Sequence, residues 1–97
     1  MEFEFDLAKS DANKIKHGID FVEAQGLWAT DAMVRTISHP GEVRFLRINR
    51  LDAKVWTAVF TLRQGRIRII SVRRARRDEE AEHERRQEEV RGDDNEH

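Results

Sequence analysis

Residues 65–77 read GRIRIISVRRARR, an isoleucine–arginine run that closes on Arg73, Arg74, Arg76 and Arg77. An arginine fork stays charged and binds two oxygens at once, so such a cluster at a strand end suits a phosphate. His17, behind Lys16, and His83, in the acidic segment that follows, add groups able to move a proton near neutral pH. Arg44 adds a cation among apolar residues. Together these groups could hold a phosphate and move a proton beside it. A general acid or base contributes about 10²–10⁴-fold to such a step. Cations aimed at the developing charge contribute a comparable or larger share.

The candidate catalytic residues are therefore His17, Arg73 and His83, with Lys16, Arg44, Arg74 and Arg77 as substrate-binding candidates. Five of these seven have a plainer reading. His17 precedes Gly18 and would sit favourably at a helix C-terminus. Lys16 fits a surface lysine, Arg44 an ion pair with Glu23 or Glu42, Arg77 a solvated helix start, and His83 a solvent-facing helix position. Strict alternation places Arg66, Arg68, Ile70, Val72 and Arg74 on one face of the strand. Ile67, Ile69, Ser71 and Arg73 fall on the other, with Arg73 at the rim of the apolar side.

The elements that must position these groups read as α+β. MEFEFD alternates as a short strand. A helix is expected from Asp6 or Ser10 to about His17, with Gly18 as its stop. Ala8, Ala12 and Ile15 form its expected inward stripe, and Lys9, Asn13 and Lys16 share another. A second short helix follows Asp20 and carries Phe21, Val22, Ala24, Leu27 and Trp28. Met33 to Ile37 is a short strand before the Pro40-Gly41 turn. EVRFLRINR, VWTAVFTL and RIRIISVRR then form an antiparallel meander, with the doubly apolar VWTAVFTL in the centre. From about Arg76 to Arg91 helix propensity is high, with a Glu82–Arg86 pair on one face, but only Ala81 and Val90 are apolar. GDDNEH should fray.

The chain has 97 residues and reads as one domain, with a body at 1–77 and a charged helix and tail at 78–97. Charged residues make up 38% of it, against about 25% in an ordinary domain. The net charge of −1 conceals +6 over residues 1–77 and −7 over 78–97. A basic body with an acidic tail suits a nucleic-acid or acidic partner, and equally simple solubility. The absence of cysteine excludes disulfides, thiolate catalysis and cysteine-bound zinc. His17, His39, His83 and His97 lack metal-ligand spacing, so no metal or other cofactor is expected. The acidic start is unlike a signal peptide and no stretch is long enough to span a bilayer, so a cytoplasmic protein without membrane attachment is expected.

KSDANKIKHGIDFVEA (9–24), GEVRF (41–45) and GRIRIISVRRA (65–75) lie in the order and spacing of three blocks of the BrnT-type toxins, and the chain resembles that family over most of residues 3–84. The resemblance implies a RelE-like fold, helices packed on a small antiparallel sheet, and a ribonuclease that halts translation. It also implies a BrnA-type antitoxin carrying a ribbon-helix-helix region, through which the complex binds operator DNA. The family pattern ends in Tyr-Glu where this chain has His83-Glu84, and the chain contains no tyrosine. Two functions follow as expectations: an endoribonuclease toxin, or a catalytically weakened scaffold that binds an antitoxin or nucleic acid.

Overall fold

A computed structural model describes residues 1–95, with side chains through Glu89. It is α+β. Strand β1 (Phe3–Glu4) leads into helix α1 (Leu7–His17), and a 3-10 helix spans Glu23–Trp28. Strands β2 (Met33–His39), β3 (Glu42–Leu51), β4 (Lys54–Arg63) and β5 (Arg66–Arg74) follow, and helix α2 (Arg77–Asn95) closes the chain. The sheet order is β1-β5-β4-β3-β2. The meander has four strands rather than three, and β1 joins β5 in parallel, so the sheet is mixed rather than antiparallel.

Local chemistry explains the corners. Asp6 caps α1 by accepting from the Lys9 amide at 3.0 Å, and Gly18 ends it in the left-handed conformation at φ 84°. Asp20 and Glu23 exchange side chain-to-backbone bonds of 2.7 and 3.1 Å, a reciprocal capping box. The following turns are 3-10 rather than α. Gln64 and Gly65 both take positive φ (52° and 78°), the hairpin turn that matches strand twist.

The face beneath α1 and the 3-10 helix holds the main core: Phe21, Leu27, Trp56, Phe60, Ile69 and Val72 among others. A smaller cluster of Met33, Ile48 and Val55, with Ala75 against it, lies on the opposite face, the side on which α2 docks. β4 is buried along most of its length, as its doubly apolar sequence predicts.

Helix α1 departs from its predicted orientation. Ser10 and Asn13 are buried, whereas Ala8 and Ala12 are exposed and Ile15 is 88% exposed. The cause is the sheet edge. β1 is only two residues long and covers β5 at Ile67 and Arg68 alone. Further along, Val72 would leave backbone groups unpaired in the core. The Asn13 amide supplies both partners, donating to the Val72 carbonyl at 2.9 Å and accepting from its N–H at 3.3 Å. It also donates to the Ile19 carbonyl, and Ser10 accepts from the Phe21 amide. Asn13 therefore does not share an outward stripe with Lys9 and Lys16.

A second departure lies in β5. Val59 pairs with Ser71 but Phe60 pairs with Ile69, so Ile70 is an extra residue and the strand bulges. The bulge flips the alternation. Val72 joins Ile67 and Ile69 in the core, and Arg73 turns to the opposite face. The expectation that Arg73 shares the face of Ile67 and Ile69 is thus corrected.

Helix α2 packs on this opposite face of the sheet, and His83, read as solvent-facing, is buried there. It runs on to Asn95, past the expected start of fraying at Gly92; residues 96–97 of that stretch lie outside the described residues. Glu82 and Arg86 do not pair with each other: Glu82 pairs with Arg35, and Arg86 with Asp31. No helix among the described residues is long and apolar enough to cross a membrane.

Candidate functional site

Arg73 is the centre of the α2-covered face. Its two terminal nitrogens donate to the two carboxylate oxygens of Glu79 at 2.7 and 3.0 Å. Glu79, only 2% exposed, also accepts from the Thr57 hydroxyl at 3.0 Å and the Arg76 amide at 2.8 Å. The Arg76 bond is half of a capping box at the start of α2. Burial pushes the Glu79 carboxyl up, but the Arg73 fork, the Arg76 amide and the Thr57 hydroxyl outweigh it and hold it at about 2.

One helical turn on, Glu82 pairs with Arg35 of β2, and Asp78 stands 3.8 Å from the same guanidinium. Arg86 donates to the Ala32 carbonyl at 2.8 Å. His83 is 2% exposed and neither ring nitrogen has a hydrogen-bond partner. Burial lowers its pKa below 6.5, and Arg50 on β3 lowers it further. A cleft lined by Thr30, Asn49, Arg50, His83 and Arg86 opens beside it.

Beside α2, toward the Arg63 end of β4, a groove opens. Sheet register sets Arg44 beside Thr61, and Thr61 opposite Arg68. These three line the groove with Ile70, Arg63 and Lys9. Thr57, beside Arg73, and Thr61 are four residues apart on β4, so the groove lies about 13 Å from Arg73. Arg44 pairs with Glu42 at 2.7 Å, one of its two expected acidic partners; Glu23 pairs with Lys14 instead. Arg68 lies 3.9 Å from Glu4.

The residues singled out from the sequence therefore fall in different places. Arg73 on β5 faces α2, His83 is buried on α2 itself beside Arg50 and Arg86, and Arg44 lies on the same side of the sheet. Arg74 points to the other side, its guanidinium 5.6 Å from the Trp56 ring. Lys16 and His17 lie in the last turn of α1, with Gly18 closing the helix as the dipole reading requires. Arg77 is the exposed first residue of α2. Arg35 and Arg68 were missed. Arg68 was legible as an outward arginine of an amphipathic strand. Arg35 had no local signal, because its partner Glu82 lies 47 residues away. Among the described residues no group of three or more His, Asp and Glu side chains could hold a metal ion.

Residues 5–79 match the family model described as "Ribonuclease toxin, BrnT, of type II toxin-antitoxin system". The chain belongs to the BrnT toxin family. Membership implies ribonuclease activity and an antitoxin partner. The match ends at Glu79, the residue that grips Arg73, so Glu82, His83 and Arg86 lie beyond it. A search of curated proteins found no match.

Proposed function

We propose that the chain is a metal-independent endoribonuclease of RelE-like type that halts translation by cutting RNA, and that its substrate lies along the α2-side face of the sheet. The observation that carries this reading is the row of cations on that face: Arg73 and Arg35 under α2, then Arg44 and Arg68 in the open groove. Arg73 stabilises charge on the phosphate under attack, and Arg44 and Arg68 hold flanking phosphates. His83, neutral and without hydrogen bonds while buried, is the group on this face suited to accept the 2′-OH proton. Arg74, on the Trp56 side, lies off this row, and Lys16, His17 and Arg77 are further cations or proton carriers for a longer strand. The partner is a BrnA-like ribbon-helix-helix antitoxin in the cytoplasm, through which the complex meets operator DNA.

The test is induction in a bacterial host, with and without the neighbouring gene, scored for growth and RNA integrity. Arrest with RNA breakdown is expected from the native chain, and Arg73→Lys should abolish it while the protein remains folded and soluble. Full toxicity of a folded Arg73→Lys chain would overturn the site. A second reading, a scaffold that binds without cutting, is favoured by one feature: Glu79 already occupies the Arg73 fork. That reading predicts antitoxin binding with no RNA cleavage by the isolated chain.

A further inference from the structure

We infer that Arg35 and Arg73 form a two-point site for neighbouring phosphates of single-stranded RNA, and that α2 fills this site with its own carboxylates when RNA is absent. The inference rests on the ribonuclease reading above. A carboxylate on an arginine fork reproduces the charge and bidentate geometry of a phosphate there. Glu79 and Glu82 are three residues apart, so they project from one helix face with about 5–6 Å between their Cβ atoms. Their partners, Arg73 on β5 and Arg35 on β2, start three strand spacings apart, about 14 Å between backbones, and reach in under α2 as two anion-binding points.

The way α2 is attached supports this. Its inward contacts are mainly charged: Glu79 to Arg73, Glu82 and Asp78 to Arg35, and Arg86 to the Ala32 carbonyl. Among its described side chains only Ala81 is apolar, and it is half-buried. The part-exposed pairs of Asp78 and Glu82 with Arg35 yield readily to a competing polyanion, whereas the buried Glu79–Arg73 pair is the firmer hold. The docked helix also buries the His83 ring with both nitrogens unpartnered. Such burial opposes docking, because an unsatisfied polar group loses its water without a replacement. As RNA replaces the carboxylates, α2 shifts outward. The same movement frees the His83 imidazole to meet the bound strand.

The test measures binding of a fluorescent, 2′-O-methylated RNA oligonucleotide, which cannot be cut, to the full chain at low salt. An Asp78→Asn/Glu82→Gln variant should bind about tenfold tighter, since two surface charge pairs no longer compete. The same charge change at Glu84 and Glu88, which pair with no sheet arginine among the described residues, should alter affinity far less. Arg35→Gln should remove the gain. Amide exchange over residues 77–89 of the native chain should speed up when RNA binds. Equal affinities for the two double variants, or unchanged exchange in α2 with RNA bound, would overturn the inference. If binding then still depends on Arg73, the ribonuclease face survives. If no variant binds RNA at all, both readings fall.

Discussion

Arg73 and Glu79 lie six residues apart on different elements, yet the fork and the carboxylate meet edge to edge, at 2.7 and 3.0 Å. The pair joins the end of β5 to the first turn of α2 and has a definite pH signature. The Glu79 carboxyl is held at about 2 in the fold against an ordinary 4.5. Because the folded-state value is the lower one, the stabilisation is complete above about pH 4.5 and is lost as pH falls toward 2. The shift corresponds to about 3 kcal/mol. Glu79→Gln should therefore destabilise the chain at pH 7 by an amount that vanishes near pH 2, as followed by urea denaturation at several pH values. A pH-independent difference would contradict the pairing.

His83 titrates in the opposite chemical sense with the same consequence. Burial first, and Arg50 and Arg86 after it, lower its pKa below 6.5, partly offset by Glu84 and Glu80. As pH falls through 6.5 the unfolded chain takes the proton before the folded one, so stability declines from there downward. Thermal melts between pH 7.5 and 5.5 should show that decline, and His83→Phe should flatten it. A slope unchanged in the variant would place the ring in water.

Asn13 completes the edge of β5 where β1 stops. Asn13→Ala would leave the Val72 N–H and two buried carbonyls without partners, at a cost of about 2–4 kcal/mol in chemical denaturation. Ile15→Lys, on the outward side of the same helix, should stay within about 0.5 kcal/mol. The reverse ranking would restore the orientation that the apolar spacing suggests.

That contrast marks where the sequence is readable. Strand existence, the central place of VWTAVFTL, the Gly18 stop and the turns at Pro40-Gly41 and Gln64-Gly65 all follow from local chemistry, and local chemistry prevails there. The orientation of α1 does not, because the backbone demand of Val72 comes from a residue 59 positions away and outweighs the Ala8, Ala12 and Ile15 stripe. The face of Arg73 was hidden for a different reason: one extra residue at Ile70 inverts everything after it, and no residue type in RIRIISVRR announces a bulge. The acidic helix showed its charge but not its seat, since its partners Arg35 and Arg73 belong to strands at different positions across the sheet.

The bulge separates two adjacent arginines into different roles. Arg74 stacks over Trp56 on the α1 side, whereas Arg73 faces α2. Arg74→Ala should cost at most about 1 kcal/mol, as expected for a half-exposed cation–π contact. It should change the environment of Trp56, visible in tryptophan fluorescence, and leave growth arrest intact. Arg73→Lys keeps the charge but loses the two-oxygen fork, so it should abolish arrest while preserving the fluorescence signature. Comparing the two folded variants under matched induction separates a general need for positive charge at this strand end from a need for a fork on one face. Equal loss of toxicity in both would mean that the substrate reaches the Trp56 side as well, and that the α2-side row is not the whole site.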